Sequence, residues 1–343
     1  MKKSSFNFLF FIFFFSVLSI FTSCKADKRA AKPQKEKIVI GFSIDTLIVE
    51  RWRQDCDIFI NTARKKGAEV IIKDAFNSVQ EQIKQIEELI AQNVDVLVIV
   101  PKEAKSLTAV LDKAKSKKIP VISYDRLICD ADIDLYMSVD SKKVGNLMAD
   151  AIINQKTEGG IWCILGPEQD NNMLLVAKGV QETLKGSKIS VEYNYFTPDW
   201  NYDLAYKKMD HLLNQRLVPT AVICGNDAIA ENVLRAIGEH RLGNNIPVVA
   251  QDAEIPACRR VAQGIQAATV YKPISKLAQI AAEYACFLAK DSNYLREAKI
   301  SDKIDNGYME VPSIFLEPVL VTQENLKKTV VDSGFHTYQE IYR

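Results

Sequence analysis

Apolar residues in this chain fall in short runs separated by longer amphipathic stretches. Residues 37–42 read as a strand, and a helix is expected over about residues 50–66. Val70, Ile71 and Ile72 make a second strand. Between Val79 and Ala91, Ile83, Ile86, Leu89 and Ile90 keep the spacing of one helical face. The run Val94-Asp-Val-Leu-Val-Ile-Val100 is a nearly unbroken apolar strand that Pro101 ends. A helix over 107–114 and a strand over 119–124 follow. Strands that are apolar at successive positions fit a parallel sheet covered on both faces, and the intervening helices complete βαβ units.

The pattern then restarts. Strands are predicted at 135–139, 160–165, 189–193, 221–224, 246–250 and 269–271, with helices at 142–154, 173–184, 202–213 and 228–237. A helix over 275–289 is the last long one. The fold class is therefore α/β, with two halves of similar element order. No Gly-x-Gly-x-x-Gly and no Gly-x-x-x-x-Gly-Lys-Ser/Thr follows any strand, so the usual phosphate cradles are missing.

Polar residues gather where the predicted strands end, which is where open α/β sheets bind ligands. They are Asp45 and Glu50-Arg51-Trp52, Asp125-Arg126, Asp170-Asn171-Asn172, Asp199-Trp200, Asn226-Asp227, Gln251-Asp252, and Tyr271-Lys272-Pro273. Carboxylates and amides exchange hydrogen bonds with hydroxyls, and a guanidinium offers a rigid fork of donors. An indole supplies an apolar plate for the C–H face of a sugar ring. This inventory suits a neutral polyhydroxy ligand. Each residue also has a plainer reading. Asp45, Asn172, Asn226 and Asp227 could be helix caps. Arg51 could be solvated, and Trp52 could share a core face with Phe59. Arg126 could pair with Asp130 or Asp132, Trp200 could pack on the surface, and Lys272 could be an exposed hinge residue.

The N-terminus changes the compartment. Lys2 and Lys3 precede an apolar run, 6–21, that holds eight of the fifteen phenylalanines. Its core, Phe8 to Phe15, is short for a membrane span and close to the terminus, and the segment has the form of a secretory signal. Phe21-Thr22-Ser23-Cys24 is similar to a bacterial lipobox, which makes Cys24 the expected acylated first residue. Residues 1–23 are thus the signal and 24–36 a charged tether. Beyond residue 23 the chain holds 42 basic and 43 acidic residues, which argues against a nucleic-acid surface built on bulk charge. Hydrophobic residues at 48% and charged residues at 25% are ordinary globular values. Six later cysteines lack Cys-x-x-Cys spacing and are expected unpaired, Cys163 and Cys224 as buried hydrophobes. Three scattered histidines make a metal site improbable, and no cofactor is expected.

With these segments in hand, the chain from about residue 37 to the Asp332-Ser-Gly-Phe335 tail resembles the type I periplasmic sugar-binding family of bacterial ABC importers. Ser43-Ile-Asp45, Glu50-Arg51-Trp52, Tyr124-Asp-Arg126, Asp170-Asn-Asn172 and Val270-Tyr-Lys-Pro273 carry the resemblance. Glu-Arg-Trp and Tyr-Asp-Arg point to its xylose-binding branch. The resemblance implies two lobes that close on a monosaccharide, 37–139 with 272–308 and 140–271 with 309–343. It implies ligand contacts from Arg51, Trp52, Asp125 and Arg126 in the first lobe. From the second come Asn172, Asn226 and Asp252, with Trp200 stacked on the ring and Lys272 at the hinge. The expected ligand is D-xylose or a similar monosaccharide, bound by a monomer on the periplasmic face of a bacterial membrane. The expected partner is an ABC permease, or alternatively a membrane signalling receptor. An enzyme would need a nucleophile–base pair or a metal, and a repressor would need a helix-turn-helix before the first strand. The sequence offers neither.

Overall fold

A computed structural model of the chain describes residues 37–48, 50–297, 300 and 302–343. The expected signal, Cys24 and the tether lie outside the described residues.

The first half alternates β1 (Ile38–Ile44), α1 (Glu50–Lys65), β2 (Ala68–Asp74), α2 (Val79–Ala91), β3 (Val96–Ile99), α3 (Thr108–Ser116), β4 (Val121–Tyr124) and β5 (Leu135–Val139). The second half repeats the scheme with α4 (Ser141–Ile153), β6 (Glu158–Leu165), α5 (Asn171–Leu184), β7 (Lys188–Phe196), α6 (Tyr202–Asn214), β8 (Ala221–Cys224), α7 (Asp227–Glu239), β9 (Val248–Gln251), α8 (Ile255–Ala262) and β10 (Ala268–Tyr271). Then come α9 (Ile274–Lys290), α10 (Tyr294–Glu297), β11 (Asp302–Asp305), β12 (Glu310–Leu316), β13 (Val319–Val321) and α11 (Tyr338–Tyr342).

Two sheets result, ordered β11-β12-β5-β4-β3-β1-β2 and β13-β10-β9-β8-β6-β7. Pairing is parallel except at the edges, where β11 runs against β12 and β13 against β10. β3, β4, β5 and β8 are buried at every position, as their apolar runs require. In the first lobe, α1 and α9 pack together over one face, with Phe42, Phe59 and Ala281 in the core between them and the sheet. Ile86 and Leu89 of α2 meet Leu111 of α3 on the other. In the second lobe, Met209 of α6 and Val233 of α7 share a core with Trp162 and Val222. Helices start where short polar side chains satisfy free amides. Ser78, Asp140, Asp170 and Asn226 accept from Glu81, Lys143, Asn172 and Ile229 N–H groups.

The chain crosses between lobes after β5, after β10 and after β12. The third crossing departs from the sequence expectation, which put it at residue 308. β12 pairs with β5 as far as Leu316↔Val139, so residues 310–316 belong to the first lobe. The crossings run side by side: Asp140 N–H donates to Leu316 O at 3.2 Å, and Tyr271 lies opposite Val319 in the β10–β13 pair.

Candidate functional site

The carboxyl ends of both sheets face one interlobe cavity. It encloses about 530 Å³ of space between atoms, open mouth included. All nine residues singled out from the sequence line it: Arg51, Trp52, Asp125, Arg126, Asn172, Trp200, Asn226, Asp252 and Lys272.

The first-lobe wall is a chain of paired charges. Arg51, in the first turn of α1, donates through Nη2 to Asp125 Oδ2 and lies 3.6 Å from Asp55 one turn on. Asp55 is fully buried and accepts the Tyr124 hydroxyl at 2.7 Å. Arg126 follows Asp125 beyond β4. Its Nη1 donates to Asp45 Oδ2 at 2.6 Å and its Nε lies 2.7 Å from Asp170 Oδ2. Both guanidiniums sit near the Trp52 ring, Arg51 at 4.4 Å and Arg126 at 5.6 Å from its centroid. Asp125 has φ 62°, a left-handed conformation that is uncommon outside glycine. Its carbonyl is held by the hydroxyls of Tyr136 at 3.0 Å and Ser138 at 2.7 Å.

The second-lobe wall reaches back. Asp170 caps α5, which sets Asn172 in the first helical turn. Asn172 Nδ2 then crosses to Asp125, 3.1 Å from Oδ1 and 3.2 Å from the carbonyl. Asn172 Oδ1 and Arg51 Nε are buried without a hydrogen-bond partner among the described residues. Asn226 caps α7 through Oδ1 while lining the cavity. Gln251 at the end of β9 donates to Gly225 O at 2.6 Å. Lys272 Nζ lies 2.6 Å from Asp252 Oδ1. Trp200 sits in a single 3₁₀ turn, Pro198–Trp200, and its ring packs over Gly166. A Cβ at Gly166 would stand 2.3 Å from the indole, so only glycine leaves room for it.

Burial works against ionisation of Arg51 and Arg126, but the carboxylates outweigh it, and both are held protonated well above their ordinary range. For Asp125, burial is outweighed by Arg51 and Lys272, and the carboxyl titrates below its usual value. Asp170 goes the other way, because burial exceeds the pull of Arg126. Burial pushes Asp55 up to about 6 despite Arg51 and the Tyr124 hydroxyl.

Several plainer readings are corrected here. Asp45 is a buried partner of Arg126. Arg126 does not pair with Asp130 or Asp132, which bind Lys105 and Lys115 instead. α5 is capped by Asp170, not Asn172. Arg51 is buried, and Lys272 pairs with Asp252 rather than standing free. Trp52 packs in the core and Asn226 caps α7, and each also lines the cavity. Asp55 and Ser138 went unnoticed in the sequence. Asp55 had a signal, because it lies four residues beyond Arg51 on the same helix. The described cysteines are all unpaired, and no group of three or more His, Cys, Asp or Glu among the described residues could hold a metal ion.

A two-lobed α/β molecule with a wall of paired charges around an interlobe cavity is a solute-binding protein of the type I periplasmic architecture. The chain belongs to the periplasmic binding protein family, whose domain pattern matches residues 40–292. It is 38% identical to a D-xylose-binding periplasmic protein of Haemophilus influenzae, over 91% of this chain and 95% of that one. It is 37% identical to the protein of the same description in Escherichia coli, over 95% and 98%. Among solved structures it resembles an ABC transporter solute-binding protein from Clostridium phytofermentans with bound β-D-glucose. The TM-score is 0.79 at 28% identity, over 88% of this chain and 99% of that one. The chain is thus an extracytoplasmic, non-catalytic solute-binding protein of the kind that serves ABC sugar importers.

Proposed function

We propose that the chain binds D-xylose, or a closely similar monosaccharide, and delivers it to the permease of an ABC importer. The nine cavity residues are its ligand contacts, with Trp200 as the plate beneath the ring. The carrying observation is charge balance. Three cations line the cavity, Arg51, Arg126 and Lys272, and each is paired with a carboxylate that also lines it: Asp125, Asp170 and Asp252. A charged solute would find no unmatched countercharge, whereas hydroxyls can share bonds with groups that are already paired and oriented. The two D-xylose-binding relatives favour xylose. The glucose-bound structure favours a hexose as the second reading.

Calorimetry against xylose, glucose, ribose, arabinose and galactose separates them. Xylose should bind at micromolar Kd or tighter, about −8 kcal/mol or better. Heat from another sugar but none from xylose replaces the specificity and keeps the class. The protein works as a monomer tethered by acylated Cys24 to the periplasmic face of a bacterial membrane. Cys24→Ser should then move it from the membrane fraction to the soluble one, and unchanged retention counts against the anchor.

A further inference from the structure

Among the described residues, one ion pair outside the cavity wall joins the lobes. Lys102 follows β3 in the first lobe, and its Nζ lies 2.6 Å from Asp199 Oδ1 in the second. The lysine side chain is 11% exposed and the aspartate 65%, so the bridge stands at the rim. Its first-lobe end is rigid. Lys102 N–H donates to Gln82 Oε1 at 2.8 Å. Gln82 is fully buried and donates in turn to Val100 O at 2.8 Å.

The second-lobe end is unusual. Asp199 and Trp200 both have left-handed backbones, φ 51° and 56°, with no glycine to make that conformation cheap. Trp200 Nε1 is buried without a hydrogen-bond partner among the described residues. The indole rests on Gly166. Its backbone is thus strained at the residue that Lys102 grips, and its ring has a seat but no polar anchor. Lys102 does not line the cavity, so it would act on a ligand only through this turn.

We infer that Lys102 is a positioning residue: through Asp199 it pins the turn carrying Trp200 across the closed cleft, and so slows release of the sugar. This rests on the proposed sugar reading, in which Trp200 is the plate. The bridge forms only when the lobes meet, so its loss speeds opening and leaves encounter with the sugar nearly unchanged.

Stopped-flow tryptophan fluorescence with xylose tests it. Lys102→Met keeps the stem and removes the charge, and Asp199→Asn removes the acceptor's charge. Each should raise the release rate about five- to tenfold and alter association by less than about twofold. The double variant should release no faster than either single one, because both remove the same interaction. The swap of Lys102→Asp with Asp199→Lys should restore slow release. Added salt should speed release in the natural protein and leave Lys102→Met unaffected, because the exposed half of the bridge is screened. Unchanged release in the single variants, or effects that multiply in the double one, would overturn the inference.

If the natural protein binds none of the sugars, the sugar reading alone fails, and the positioning role is read without ligand. The chain has three tryptophans. In protein labelled with 5-fluorotryptophan, the ¹⁹F resonance assigned by Trp200→Phe should shift and broaden in Lys102→Met. An unmoved resonance rejects the role.

Discussion

Arg126 shows how one side chain can serve both the fold and the site. It satisfies Asp45 from its own lobe and Asp170 from the other, all three nearly buried. Hydrogen bonds to charged groups are worth about 1.5–3 kcal/mol each, and a partner left behind in a dry interior costs at least as much. Arg126→Ala should therefore weaken xylose binding at least about tenfold, since about 1.4 kcal/mol is one decade. It should also lower the melting temperature without sugar, because two buried carboxylates lose their cation. Arg126→Lys should recover little of either, as one ammonium cannot span both acids. Titration calorimetry and apo melting on the two variants check this, and natural affinity in Arg126→Ala removes the residue from the site. Asp55 makes a pH statement. Burial raises its carboxyl from 3.8 to about 6, so the folded chain holds that proton more tightly than the unfolded one. The group's contribution to stability is then complete below 3.8 and is lost as pH rises through about 6. Asp55→Asn cannot ionise. Natural melting temperature minus the variant's should therefore fall from about pH 4 to about pH 7, and a constant difference would refute the assignment.

At the scale of elements, Asn226 separates cap from contact. Asn226→Ala should cost about 1 kcal/mol of stability through the lost α7 cap, besides weakening sugar binding. Asn226→Asp keeps a capping oxygen, so melting should hold. It removes the amide donor and tips the wall's charge balance, so sugar affinity should drop about tenfold or more. Equal affinity in Asn226→Asp would make Asn226 a cap only. Much at this scale was legible in the sequence. The helix expected over 79–91 and the strands over 135–139 and 221–224 coincide with α2, β5 and β8, because buried parallel strands and capped amphipathic helices write their period into the chain. What escaped had no such period. β11 reads Asp302-Lys-Ile-Asp305 and is mostly exposed at a sheet edge. β12 contains Pro312, which argues against a strand. β13 is only three residues long. α8 opens on Ile255-Pro256 at the N-terminal position proline tolerates, and its eight residues make little more than two turns. The residues that line the cavity were legible because strand ends are few and polar. Their partners were not, since Asp45–Arg126 and Arg126–Asp170 join segments far apart in the chain.

The whole molecule is two lobes on three adjacent crossings. Crossings tied by the Asp140–Leu316 hydrogen bond and the β10–β13 pair should bend together, as a hinge between rigid bodies. Small-angle scattering should show a smaller radius of gyration at saturating xylose, and superimposable curves would mean lobes that do not hinge. The same crossings bear on biogenesis. α9 completes the cover of α1, β12 sits between β5 and β11, and β13 flanks β10, so neither lobe is one contiguous stretch of chain. The first sheet lacks β12 until the chain has been made through Leu316, and the second lacks its edge strand β13 until Val321. A protein that works outside the cytoplasm must first leave it, and export through a narrow channel requires a chain that has not yet folded. By reserving a strand of each sheet for a late segment, this topology postpones completion of both lobes, which favours a chain still loose enough to be threaded.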